Sequence, residues 1–238
     1  MGHLDYYRYQ TAARGVSSAE DVARIAADNA YVYDRLVLPW LPPTRNVRIV
    51  DLACGHGSFL WWLRQRGFTS ARGVDSAPTQ IESARTAELD VVEADVMQWL
   101  EAVPSGSLDV LVAIDFIEHI SKDDFVRFLK GARAALAPGG RLILRYPNGD
   151  SPFVGLNLFN DITHVWTYTT NCLDTLARWH GFTEIAFADE GIATIADRRW
   201  LKVPLGRAAN FLLRGLIRAA SREHVKYLSS CIWACLRA

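Results

Sequence analysis

Four aspartates, Asp51, Asp75, Asp95 and Asp115, each close a short apolar run, in the segments VRIVD, ARGVD, LDVVEAD and LDVLVAID. In an open parallel sheet the ligand crevice lies outside the carboxyl ends of the strands, so the residue that ends each strand is the one that meets a ligand. Carboxylates gathered at one edge repel each other unless the ligand brings hydrogen-bond donors or positive charge. No cluster of Lys or Arg stands beside these acids in the sequence, which predicts a donor-rich ligand. Each acid taken singly is equally well read as the cap of the helix that follows it. Directly after Asp51, the stretch Ala53-Cys54-Gly55-His56-Gly57-Ser58 is a glycine-bearing turn into a helix, which lets backbone approach a ligand closely. A second group of chemistry-bearing residues follows the fourth run: Asp115, Glu118 and His119 would share one face of a helical turn, and His164 lies on a long loop further on.

The elements that must position these residues follow from periodicity. Apolar residues recur at helical spacing from Ala12 to Leu38, with Ser17 and Ser18 ahead of Glu20 and Asp21 as a capping region, and Pro39, Pro42 and Pro43 are expected to stop that helix. From Val47 onward short apolar runs alternate with helical stretches at about Ser58–Arg66, Thr79–Ala87, Met97–Glu101 and Asp123–Ala137, the last ended by Pro138-Gly139-Gly140. Five strands joined by helices predict an α/β fold with a largely parallel sheet. Beyond Tyr146 an insertion over 147–169 breaks the rhythm, followed by a helix to His180, the strand FTEIAFA, a helix from about Pro204 to Ala220, and CIWACLRA as a final strand. The expected organisation is one domain over 1–238: a helical lead-in (1–46), a core (47–190) with a lid at 147–169, and a closing helix and strand (191–238).

Half of the residues are apolar and the formal charge is zero, which excludes a disordered tail and a protein that coats nucleic acid, so no nucleic-acid partner is expected. The first residues lack a basic segment followed by an apolar run, and no stretch reaches the roughly 18 apolar residues of a membrane span, so the expected location is the cytoplasm. The cysteines, Cys54, Cys172, Cys231 and Cys235, form no paired CxxC units, which leaves no zinc or disulfide framework.

The segments DLACGHG, GVDSA, EADV, LDVLVAIDFIEHI and LAPGGRLIL resemble the successive motifs of class I S-adenosylmethionine-dependent methyltransferases, over about Val47 to Tyr146. The resemblance implies a Rossmann-like, seven-stranded, mostly parallel sheet whose last strand is antiparallel, and S-adenosylmethionine as cofactor. It puts Asp51, Ala53, Gly55, Gly57, Asp75, Ser76, Asp95, Val96 and Asp115 at cofactor-binding positions. That molecule carries an ammonium, a sulfonium and a ribose diol but no phosphate. This suits Asp51 at the turn, Asp75 for the ribose hydroxyls and Asp95 for the adenine amino group, whereas a dinucleotide wants a third glycine and a pyrophosphate site. Asp115-Phe116-Ile117-Glu118-His119 resembles the acid-x-x-Glu-His motif of small-RNA 2′-O-methyltransferases and ubiquinone-pathway O-methyltransferases. This likeness implies a divalent metal such as Mg held by Asp115, Glu118, His119 and His164, although Asp115 is one methylene shorter than the family's Glu. The alternative is that Glu118 and His119 cap the loop and orient the acceptor. His119 or His164, with Glu118 beside them, would then act without metal, a neutral imidazole taking a hydroxyl proton.

The segment Asp161-Ile162-Thr163-His164, with Gly181-Phe182, is similar to methyltransferases of bacterial polysaccharide and O-antigen biosynthesis, which implies O-methylation of a sugar hydroxyl on a glycan or its precursor. Two rival readings are a methyltransferase for a small aromatic or quinone-like metabolite and a non-catalytic S-adenosylmethionine-binding regulatory module. The aromatics of the lid (Phe153, Phe159, Trp166, Tyr168) and of the lead-in (Tyr6, Tyr7, Tyr9) stack on sugars as readily as on quinones and do not choose between acceptors. In the helix at 204–220, Leu205, Ala208, Ala209, Leu212 and Leu216 fall on one side and Arg207, Arg214 and Arg218 opposite, a basic character that Lys202, Arg222 and Lys226 extend. Such a helix suits a peripheral place on an anionic membrane, or packing on its own domain or in a homodimer.

Overall fold

The computed structural model describes residues 15–190, 202–221 and 225–238. Its sheet has seven strands in the order β3-β2-β1-β4-β5-β7-β6. They are β1 (Ile49–Leu52), β2 (Arg72–Asp75), β3 (Val91–Glu93), β4 (Leu108–Ile114), β5 (Leu136–Pro147), β6 (Glu184–Asp189) and β7 (Cys231–Arg237). Strands β1 to β5 pair in parallel, and β7 runs antiparallel to both β5 and β6. The expected α/β sheet with an antiparallel last strand is what the chain forms.

The connecting helices are α1 (Ala19–Val32), α2 (Ser58–Gln65), α3 (Pro78–Thr86), α4 (Val96–Ala102), α5 (Lys122–Ala135), the single turn α6 (Gly155–Leu158), α7 (Thr170–Trp179) and α8 (Lys202–Ser221). Alternation along the central strand divides the core in two. Val110 and Val112 face a cluster built with α1, α2 and α3 that includes Phe59, Trp62 and Ile81. Leu111 and Ala113 face the opposite cluster, where α4, α5 and α7 contribute Leu100, Phe125, Phe128 and Leu173. Both faces of the sheet are therefore covered, as a parallel sheet requires.

Local chemistry explains where the elements start and where the sequence reading needs correction. Ser18 caps α1 by accepting from the Asp21 N–H, so the capping region is as expected. Of the three prolines expected to stop the helix, Pro39 is passed, because the path continues as a π-turn over Tyr33–Val37 and a 3-10 turn over Leu38–Trp40, and it ends there, ahead of Pro42 and Pro43. Pro39 is tolerated because it occupies the first turn of the new helix, where no intrahelical N–H is needed. Pro138-Gly139-Gly140 likewise does not separate α5 from the next strand, because β5 runs from Leu136 and its glycines pair with the chain end, Gly139 N–H donating to the Ala238 carbonyl and Ala238 N–H to that of Gly140. Helix α8 begins two residues before the expected Pro204. Residues Ala12, Tyr6, Tyr7, Tyr9 and Arg222 lie outside the described residues.

Candidate active site

The strand order reverses between β1 and β4, and the crevice outside the carboxyl ends opens there. Asp51 is the penultimate residue of β1, a strand buried along its whole length, and is only 2% exposed. Burial, with Asp75 beside it, pushes its carboxyl well above the usual carboxylate range. After β1 the backbone turns through positive φ at Ala53 (56°), Gly55 (54°) and Gly57 (81°) and then enters α2. This bends the chain around Asp75, whose Oδ2 accepts from the Gly55 N–H at 2.8 Å and whose Oδ1 accepts from the Ala77 N–H at 2.8 Å. Burial raises the Asp75 pKa while those N–H groups lower it, and burial wins. Asp95 caps α4, its Oδ1 accepting from the Gln98 N–H at 2.9 Å. The capping reading of Asp95 is therefore real, yet the residue also lines the crevice together with Asp75, Ser76, Val96 and Met97.

Three clefts adjoin along this edge, and all three are lined by Gln80 and Asp115. The first, of about 380 Å³, lies between Asp51, the turn and Tyr33. The second, of about 540 Å³, spans Asp75, Asp95 and Phe116. The third, of about 290 Å³, holds Glu118, His119, His164 and lid residues Asn157, Asn160 and Asp161. Of the expected cofactor residues, Asp51, Ala53, Gly55, Asp75, Ser76, Asp95, Val96 and Asp115 line the first two clefts, while Gly57 lies behind them at the helix start. The first two clefts fit S-adenosylmethionine on one physical ground. Two neighbouring acids, one fully buried and both pushed up in pKa, favour a ligand bringing an ammonium and a diol and disfavour a pyrophosphate.

The third cleft is assembled across the lid. Glu118 and His119 lie in a 3-10 turn, Ile117–His119, and the lid docks on it by the Val165 N–H donating to the Glu118 carbonyl at 2.7 Å. The His119 and His164 rings meet edge to face, 4.6 Å apart. Ligand atoms of Glu118, His119 and His164 all lie within 4.8 Å of one another. Glu118 is buried, its Oε2 has no hydrogen-bond partner among the described residues, and burial, with Asp115 nearby, holds its carboxyl well above the ordinary range.

Hydrogen bonding fixes the imidazole tautomers. The Thr163 hydroxyl donates to Asp161 Oδ1 at 2.6 Å, so its oxygen accepts from His119 Nδ1–H at 2.9 Å and the His119 lone pair is on Nε2. His164 Nδ1 lies 3.1 Å from the Leu158 carbonyl, an acceptor, so that nitrogen is the donor of the pair. Burial, then His164, presses the His119 pKa down to about 4.

Asp115 does not join that cluster. It takes a positive φ of 52° and pairs with Arg145, which also donates to Glu190 at 2.6 Å, while Glu190 accepts from the Trp233 indole N–H at 2.9 Å. The sequence offers no cluster of Lys or Arg beside the strand-end acids, and the fold adds one cation there, since β5 carries Arg145 into the first and third clefts. Burial works against the Arg145 charge, and Asp115 and Glu190 together outweigh it. Arg145, Glu190, Gln80, Thr163 and Asp161 had no assigned role in the sequence. The one available signal was a charged residue inside the apolar run LILRY, and Thr163 and Asp161 stood in the lid motif without a task.

A family model described as a methyltransferase domain matches residues 23–187. The chain belongs to the methyltransferase family. Its fold is that of the class I, S-adenosylmethionine-dependent methyltransferases. The tRNA U34 carboxymethyltransferase of Pseudoalteromonas translucida is 26% identical over 176 residues, 70% of this chain and 54% of that protein. A 37.1 kDa protein of unassigned function in transposon TN4556 of Streptomyces fradiae is 30% identical over 157 residues, 63% of this chain and 44% of that protein. The chain spans about half the length of the curated relatives it matches. Among solved structures, a SAM-dependent methyltransferase from Archaeoglobus fulgidus superposes with a TM-score of 0.69 at 19% identity, covering 98% of this chain and 99% of that one. A putative methyltransferase from Haloferax volcanii, in complex with the Trm112 activator, gives 0.64 at 16% identity, covering 100% and 98%. These two likenesses concern the fold.

Proposed function

We propose that the protein transfers the methyl group of S-adenosylmethionine to a hydroxyl of a polyol acceptor, a sugar on a glycan or glycan precursor of the kind made in bacterial polysaccharide biosynthesis. The observation that carries the reading is the His119–His164 pair. In their neutral form the two imidazoles present Nε2 lone pairs at the cleft next to the cofactor crevice, where a proton acceptor is needed. S-adenosylmethionine supplies a sulfonium-bound, electrophilic methyl group. As the acceptor oxygen bonds to that carbon and the carbon–sulfur bond breaks, the hydroxyl proton passes to His119 Nε2, with His164 as the alternative base. Thr163 and Asp161 hold the His119 ring in the tautomer this requires, and orientation of the two reactants supplies much of the rate. Asn157, Asn160 and Asp161 give the cleft a polar lining suited to hydroxyls rather than to a quinone ring.

Glu118, His119 and His164 would also accommodate a divalent ion, which is the rival role for the same atoms. Activity on the true acceptor that survives EDTA excludes it. The reading is tested by offering isotopically labelled S-adenosylmethionine with nucleotide sugars, lipid-linked glycans, quinols and tRNA, with and without His119→Ala. Label in a sugar ether, lost in the variant, is the expected outcome. Label in a quinol or in tRNA, or none with any acceptor despite cofactor binding, contradicts it.

A further inference from the structure

Among the described residues, large apolar side chains left open to solvent concentrate in two segments: Phe153–Trp166 of the lid and Phe211–Leu216 of α8. In the lid, Phe159 is 84% and Ile162 86% exposed. In α8 Leu213 and Ile217 are half-buried and mark the inward side. At 100° per residue Phe211 points away from them, with Leu212 and Leu216 on one flank and Arg214 and Arg218 on the other. Among the described residues, Leu212 and Leu216 of the apolar face foreseen for this helix stay 64% and 67% exposed. Patches of this kind mark contact surfaces.

The two segments are tied to one strip of chain. Arg214 donates to the Lys226 carbonyl at 2.8 Å, Ser151 Oγ to the Leu228 carbonyl at 2.8 Å, and Asn157 Nδ2 to Ser230 Oγ at 2.7 Å. The lid segment that turns Phe159 and Ile162 outward also turns Asn157, Asn160 and His164 inward to the acceptor cleft. Whatever covers the outer face therefore lies next to the mouth of that cleft.

Charge chooses the occupant. From Lys202 to Ser221 the sequence has four basic residues and no acidic one. At the lid, the Lys122 ammonium sits 3.5 Å from the Trp166 ring centroid, an aromatic and a cation paired at an apolar rim. Exposed apolar residues flanked by arginines fit the interface of an anionic bilayer, with rings and aliphatic chains at the level of the headgroups. No helix among the described residues is long and apolar enough to cross a membrane, so contact would be made from the surface.

We infer that the outer lid and α8 together form a surface that seats on an anionic lipid bilayer and brings the acceptor cleft to the hydroxyl-bearing headgroup of a lipid-anchored molecule. The inference deepens the proposed function and rests on its placement of the acceptor cleft. It is tested by co-sedimentation with phosphatidylglycerol vesicles and with phosphatidylcholine vesicles at low and high salt. The test compares the intact chain with Phe159→Glu/Ile162→Glu and Leu212→Glu/Leu216→Glu, and calorimetric binding of S-adenosylhomocysteine reports that each variant is folded. The expected result is salt-sensitive binding to the phosphatidylglycerol vesicles, weakened at least about tenfold in each double variant, with binding of S-adenosylhomocysteine unchanged. No sedimentation at low salt, or sedimentation that both variants leave intact, overturns the inference. So does a dimer in light scattering that either variant converts to monomer, which assigns the surface to a second copy. Vesicle binding is read without turnover, so its failure leaves the methyl-transfer reading standing, whereas absence of S-adenosylhomocysteine binding by the intact chain strikes that reading and with it the delivery of an acceptor, whatever the vesicles show.

Discussion

The cofactor edge and the acceptor cleft are neighbours built by different means. At the cofactor edge the candidate residues sit near strand ends, in the turns after them or at the start of the next helix, so one rule of parallel sheets locates Asp51, Asp75, Asp95 and the glycine turn together. At the acceptor cleft the partners come from distant segments: His119 meets Thr163 across 44 residues and Arg145 meets Glu190 across 45. The first region is specified by backbone geometry, the second by side chains that loops bring together. Changes at the first should disturb folding and cofactor affinity, and changes at the second should leave both nearly alone.

The largest expected separation is kinetic. His119→Ala should lower turnover by roughly 10²- to 10⁴-fold with affinity for S-adenosylhomocysteine almost unchanged. Thr163→Val, which breaks the bond to Nδ1 while keeping the volume, should lower turnover less and spare the KM for S-adenosylmethionine. Single-turnover rates set beside calorimetry check both, and parallel loss of cofactor binding in either variant would erase the distinction between the two regions.

A large effect on stability is expected at the turn. A Cβ on Gly57 would come within 2.5 Å of Leu89 Cδ1 at a φ of +81°. Gly57→Ala should therefore destabilise by about 2–4 kcal/mol. Gly106 has a similar φ of +67° but nothing within 4 Å, so Gly106→Ala carries only the conformational penalty of about 1 kcal/mol. Urea unfolding of the two variants reads the difference.

The smallest effect concerns the lead-in. Asp34 pairs with Arg66 at 2.6 Å and accepts from the Trp62 indole N–H at 3.0 Å, and the Arg66 bonds hold its carboxyl below the usual range. Because the folded value is the lower one, this contribution is complete above the unfolded carboxyl pKa and fades as pH falls toward the folded value. Asp34→Asn should flatten that acid-side loss, by less than about 1 kcal/mol since the pair is partly exposed. Thermal melts from neutral to acid pH would show it, and an unchanged slope would remove Asp34 from the acid response.

The same contrast explains what the sequence made legible. Period and turn chemistry place β1 to β5, the helices between them and β7 close to their observed bounds, because local patterns fix them. They misjudge Pro39 and the Pro138-Gly139-Gly140 stretch, where tertiary pairing or a change of helix type overrides the local stop signal. His119 and His164 stood out by residue type. Their tautomers, the Asp161–Thr163 support and the Arg145 clamp on Asp115 depend on contacts that no spacing reveals.

The central claim is that the acids at the ends of β1 and β2 form a seat for S-adenosylmethionine, and titration calorimetry with S-adenosylhomocysteine on the intact chain and on Asp75→Ala tests it most directly. The account predicts binding by the intact chain, weakened by about 1.5–3 kcal/mol, roughly 10- to 200-fold, when the charge-assisted bonds of Asp75 are lost. Equal affinity in the variant, no binding by the intact chain, or tighter binding of a nicotinamide dinucleotide would contradict it.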